Sequence, residues 1–145
     1  MRLFGRRRPD DPDAMWSLAQ GVVDGHPTIL RRKHTRRDRS RPVRVTVKLG
    51  VARPDEHGFP DGAEMDQLSE IEEQLFTELE QHGAELVLVI TANRAREFIA
   101  YGADHEWLEA WGPTVLERWA EGRPGTGVEA ALEPDWATYR AFPVR

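Results

Sequence analysis

The sequence predicts an α+β domain, and three observations carry the prediction. Residues 43–51 alternate strictly, with Val43, Val45, Val47, Leu49 and Val51 on one face and Arg44, Thr46, Lys48 and Gly50 between them. Residues 64–82 instead repeat apolar side chains every three or four positions, as a helix requires. Residues 86–90, Leu-Val-Leu-Val-Ile, are apolar throughout, the pattern of a strand covered on both faces. With strand-like 96–101, helix-like 104–119 and strand-like 128–133, the order is β-α-β-β-α-β, the ferredoxin-like or split-βαβ arrangement. The expected architecture is an antiparallel sheet of four core strands with an added N-terminal edge strand and two helices on one face. This topology hosts enzymes, RNA binders and interaction modules alike, so it narrows architecture further than activity.

Each element has its own signal. Residues 1–14 mix four Arg with three Asp and offer no apolar period, so they are expected to form a mobile arm, with one domain over 15–145. Trp16, Leu18, Val22 and Val23 are expected to dock the next segment on the core. Thr28-Ile-Leu-Arg-Arg-Lys33 reads as a strand, and residues 34–41 as the loop of a hairpin joining it to the alternating strand. Asp61-Gly-Ala-Glu64 has capping-box spacing and starts a helix whose apolar face is Met65, Leu68, Ile71, Leu75, Phe76 and Leu79. Gly83 ends it. Thr91 to Ala95 turns the chain into the next strand, and Asp104 caps a second helix carrying Leu108, Trp111, Val115 and Trp119. Gly112-Pro113 predicts a kink or a split there, because proline removes an amide donor. Pro134 to Tyr139 closes the chain with a short helical turn.

Charge is divided along the chain. Through Lys48, 13 Lys and Arg stand against 5 Asp and Glu, while the remaining residues carry 7 against 20. Arg31, Arg32, Lys33, Arg36, Arg37, Arg39, Arg41 and Arg44 form a basic hairpin on the expected fold. The first helix carries seven acidic residues and no Lys or Arg from Ala63 to Gly83, so its like charges repel at i,i+3 and i,i+4. Either the hairpin neutralises this helix internally, or it meets an outside polyanion such as RNA. Against RNA, no aromatic side chain lies between Trp16 and Phe59 to stack on bases.

Other chemistry finds little support. With no cysteine there is no disulfide, thiolate metal site or cysteine nucleophile, which suits a reducing, cytoplasmic setting. The basic start is followed by no apolar stretch, so neither a signal peptide nor a membrane span is expected. His26, His34, His57, His82 and His105 are scattered without metal-ligand spacing, and no metal or cofactor is expected. None of Ser17, Ser40 and Ser69 lies in Gly-x-Ser-x-Gly. The Gly122, Gly125 and Gly127 loop lacks the Lys-Ser/Thr that completes a phosphate cradle. On the strand 96–101, Arg96, Phe98 and Ala100 share one face while Glu97, Ile99 and Tyr101 share the other, so these residues cannot all line one pocket.

Thr91-x4-Arg96-Glu97-Phe98-x2-Tyr101 and Pro134-Asp135-Trp136-x2-Tyr139-x2-Phe142 together resemble the domain-of-unknown-function family 695. That family is similar in turn to regulator of ribonuclease E activity B, a small protein that inhibits the ribonuclease by binding it. The order Pro134-Asp135 inverts the Asp-Pro of the family's usual motif. The resemblance covers roughly residues 16–143 and brings no catalytic residue. It marks Thr91, Arg96, Glu97, Tyr101, Asp135, Trp136 and Tyr139 as positions of unassigned role.

The expected function is therefore a non-catalytic, cytoplasmic regulatory or protein-interaction module whose partner is another protein. Two alternatives remain open: polyanion binding through the basic hairpin over 31–44, and a small hydrolase using carboxylates the sequence does not single out. No catalytic residue is assigned, and the oligomeric state is undetermined.

Overall fold

The alternating strand organises the molecule. In the computed structural model, which describes residues 2–6, as backbone alone, and 15–142, it is the fourth of seven strands. These are β1 (Arg2–Arg6), β2 (Trp16–Val23), β3 (His26–Lys33), β4 (Val43–Gly50), β5 (Glu85–Ala92), β6 (Ala95–Gly102) and β7 (Gly127–Leu132). They form one antiparallel sheet in the order β1-β2-β3-β5-β6-β4-β7. Helices α1 (Gly62–Gln81) and α2 (His105–Trp119) lie on one face, and a short α3 (Ala137–Arg140) follows β7.

Period two sets the register as expected. Val43, Val45, Val47 and Leu49 are buried in one cluster with Leu68, Ile71, Leu75 and Leu79 of α1 and Leu108, Trp111 and Val115 of α2. A slip of one residue would exchange them for Arg44, Thr46 and Lys48. Asp61 caps α1, its Oδ1 accepting from the Glu64 amide at 2.8 Å. At the other end Gly83 takes a φ of 71°, and the Ala84 amide donates to the Leu79 carbonyl while that of Gly83 donates to Glu80. That pair of bonds is a Schellman stop.

Glu64 does more than the capping box required. Its buried carboxylate accepts from the amides of Ala52 and Arg53 and from Arg123 at 2.7 Å, tying three chain segments together. Burial pushes its pKa up, but those amides and the guanidinium outweigh it and hold the group below the ordinary glutamate range. Arg123 also donates to the Gly50 carbonyl, and Thr126 Oγ1 accepts from the Gly50 amide. A Cβ on Gly50 would stand 1.8 Å from the Pro124 carbonyl oxygen, so only glycine fits that crossing. The glycine loop of 122–127 thus fastens the fold.

Several expectations are corrected. The N-terminal part adds three strands, and β3 is interior, paired with both β2 and β5. The missed signal is Asp24-Gly25, whose φ values of 52° and 81° make the two-residue hairpin turn between β2 and β3. Basic residues 31–44 form no hairpin: β3 and β4 are separated by β5 and β6, and residues 34–42 span the end of the sheet. Of the expected arm, residues 2–6 pair with β2 as β1, and residues 7–14 lie outside the described residues. In β2, Ser17 and Ala19 are buried, while Leu18 and Val22 are exposed beyond the reach of the helices. Phe76 of α1 is 38% exposed rather than part of the core.

Helix α2 runs unbroken through Gly112-Pro113. Pro113 is exposed, so the carbonyl it leaves without a donor can turn to water. Gly112 brings α2 close against β7: a Cβ there would stand 3.0 Å from Val128 Cγ1, and that side chain would have to give way.

Candidate functional site on the outer face of the sheet

The basic residues, adjacent in sequence, disperse in space. Arg31 grips Glu72 of α1 through both carboxylate oxygens at 2.9 Å, with its guanidinium 5.2 Å from the Trp16 ring centroid. Lys33 and Arg41 converge on Glu85, at 3.5 and 2.6 Å. Arg44 bonds Glu129, Glu133 and Thr138, and Arg32 lies 3.8 Å over the Tyr139 ring. Arg36, Arg37 and Arg39 are exposed in the 34–42 loop and make no ion pair among the described residues. Neutralisation is thus internal for four cations, but only Arg31 of this run reaches α1.

The acidic helix is correspondingly only part-neutralised. Glu64, Glu72 and Glu78 pair with Arg123, Arg31 and Arg118. Asp66, Glu70, Glu73 and Glu80 stay exposed, without an ion pair among the described residues.

Five of the seven motif residues are engaged in holding the chain together. Arg96, buried on the helix side, donates from Nε to Thr91 Oγ1 at 2.9 Å and from NH2 to Met65 Sδ at 2.8 Å. On the other side Tyr101 stacks on Trp136, centroids 4.2 Å apart and planes 9° apart. Its hydroxyl donates to Glu133, and burial first, then that carboxylate, raises its pKa far above the ordinary tyrosine value. Trp136 is fully buried in the left-handed region, φ 54° and ψ 42°, at a strain of about 1 kcal/mol. Its Nε1 donates to the Arg41 carbonyl at 2.9 Å. Tyr139 meets it edge-on and donates to the carbonyl of Lys33 at 2.7 Å. These contacts clasp the C-terminal segment over Leu88, Ile99 and Leu30. Asp135, by contrast, is exposed, and among the described residues its side chain pairs with Arg140 alone, at 3.5 Å, so the inverted Pro-Asp order disturbs no buried contact there.

Glu97 is the motif residue the fold leaves unused. It lies on the outer face of β6, half-buried, directly opposite Lys48 of β4 in the register. Together they line a cleft of about 230 Å³ beside the clasp. Ile90, Ala92 and Ala95 give the cleft apolar surface, Thr28 and His26 come from β3, and Phe142 closes the side next to the clasp. The two-residue turns at Asp24-Gly25 and Asn93-Arg94 stand at its end; Asn93 and Arg94 have φ values of 47° and 65°.

The structure also unites two residues the sequence kept apart. Ser17 Oγ lies 2.5 Å from His34 Nε2, and the His34 amide donates to the Met15 carbonyl. Ser17 is buried, so this contact fastens the exit of β3 to β2. Among the described residues no group of three or more His, Asp or Glu is placed to hold a metal ion, and no helix is long and apolar enough to cross a membrane.

No curated protein and no solved structure matches the chain. The residues that clasp the C-terminal segment are those of the motif quoted above, and the model of one family, described as a family of unknown function (DUF695), matches residues 14–143: the chain belongs to that family.

Proposed function

We propose that the chain is a non-catalytic regulatory or protein-interaction module that meets a basic protein surface through the outer stripe of α1. One observation carries this reading. Asp66, Glu70, Glu73 and Glu80 share that stripe, and no basic side chain among the described residues pairs with them. Each like-charge neighbour at i,i+4 costs a few tenths of a kcal/mol, a cost that a basic partner would turn into attraction. The motif residues support the non-catalytic part, since Thr91, Arg96, Tyr101, Trp136 and Tyr139 are spent on packing. The similarity read between this family and regulator of ribonuclease E activity B, which acts by binding, points the same way. A cytoplasmic place of action belongs to the same reading, with the absence of cysteine in support. We also read β5-β6-β4-β7, with α1 and α2, as a ferredoxin-like unit extended by β1 to β3.

The test is capture from host extract on the wild-type protein and on Glu70→Lys/Glu73→Lys. A protein retained by the wild type, released by salt and lost by the reversed variant is the expected outcome. Identical retention by both would remove the stripe from the interface.

Polyanion binding is the second reading, and it rests on Arg36, Arg37 and Arg39 in the exposed loop. If it holds, a single-stranded RNA binds with a steep salt dependence, and changing all three to Ser flattens the slope by about one unit per lost phosphate contact. Unchanged binding in the triple variant excludes it.

A further inference from the structure

Lys48 and Glu97 are direct cross-strand partners, which sets their Cβ atoms about 5 Å apart. Opposite charges so placed ordinarily close on each other. Here neither makes an ion pair or a side-chain hydrogen bond among the described residues. An open pair at a register position built for contact leaves a cation and an anion side by side on the floor of the cleft, with apolar Ile90, Ala92 and Ala95 alongside and Asp24 and His26 farther out at its end. The cleft's volume, about 230 Å³, falls below the ~300 Å³ at which drug-sized ligands begin to fit. The ligand it suits is therefore small, doubly charged and partly apolar.

We propose that this cleft binds a free α-amino acid with an apolar side chain. The Glu97 carboxylate receives the ammonium group, the Lys48 ammonium receives the carboxylate, and the side chain lies toward Ile90 and Phe142. The two charged groups of an amino acid are separated by one carbon, so adjacent strand positions can meet both at once. A monocarboxylate or a monoamine would satisfy one protein charge and leave the other facing an apolar group, which disfavours it. Binding here is independent of the α1 stripe, which lies on the opposite side of the sheet.

The experiment is a titration of the ¹⁵N-labelled protein with L-leucine, isovalerate and isoamylamine, followed by amide shifts. Shifts confined to residues 26–28, 48, 90–97 and 142 are expected with L-leucine, at least tenfold tighter than with either singly charged analogue. Lys48→Met and Glu97→Gln should each weaken L-leucine binding tenfold or more. Lys48 is exposed and Glu97 half-buried, so both variants should melt with the wild type, and a folded variant that has lost binding is distinguishable from an unfolded one. No shift at 20 mM L-leucine, equal affinity for isovalerate, or wild-type affinity in both variants would overturn the proposal.

Discussion

On the helix face of the sheet, Val45, Val47 and Phe98 are covered by α1 and α2, helices of 20 and 15 residues whose apolar stripes repeat along the chain. On the outer face, Ile99 and Tyr101 are covered by Trp136, Tyr139 and a helix of four residues, and the cover stops short of Lys48 and Glu97. Periodic cover packs a continuous core along β4, β5 and β6. Cover by a few large side chains ends abruptly, and the open cleft begins where the clasp ends. On the face closed by the shorter segment, the strands themselves are thus left open to a small ligand.

Substitutions can break this comparison at either face. The largest effect is expected for Val47→Asp, which puts an unpaired charge in the helix-face core; a loss of about 5 kcal/mol should abolish cooperative melting. Thr46→Asn, one residue along on the outer face, should change stability by less than about 0.5 kcal/mol. If the two variants melted alike, the register of β4 would be wrong.

Trp136→Ala should cost about 4 kcal/mol, through the lost stack on Tyr101 and the cavity left behind. Because α1 and α2 do not touch Trp136, far-ultraviolet dichroism should stay native while the aromatic signal falls. Collapse of both signals together would show that the helix face depends on the clasp.

At the start of α1, Arg123→Ala strands the Glu64 carboxylate in a buried site and should cost about 3 kcal/mol. Glu64 itself makes stability pH-dependent. Its folded pKa lies below the ordinary value of 4.5, so its contribution is complete above that value and is lost as pH falls through the depressed one. Urea melts from pH 6 to pH 3 should show an acid slope that Glu64→Gln reduces; an unchanged slope would assign acid sensitivity elsewhere.

Among the substitutions at buried contacts, the smallest effect belongs to Tyr101→Phe. It keeps the ring on Trp136 and removes only the hydroxyl that donates to Glu133, so a loss of about 1 kcal/mol is expected in equilibrium unfolding. A loss as large as that of Trp136→Ala would make the hydrogen bond, and not the stack, the principal fastening of the clasp.

How much could be read beforehand follows the same division. Strands β4 to β7, both long helices, the Asp61 and Gly83 stops and the opposite faces of Arg96 and Glu97 were legible, because alternation and helical period are local properties of neighbouring residues. The β2–β3 turn carries a local signal too, since Asp-Gly at residues 24 and 25 suits a two-residue hairpin turn. The fate of the basic run was not legible. Its residues are adjacent in sequence, but β3 and β4 lie two strands apart, and that separation sends Arg31 to Glu72, Arg41 to Glu85 and Arg44 to Glu133.

The sequence by itself determined which residues alternate, which repeat with helical period, and where those periods stop. Only the tertiary structure decided that Tyr101 would meet Trp136 and that Lys48 would stand open beside Glu97. Both pairs join residues from separate strands or segments, 35 and 49 positions apart in the chain. Local propensity carries no information on such pairs; their meeting follows from strand order, which is set when the whole sheet closes.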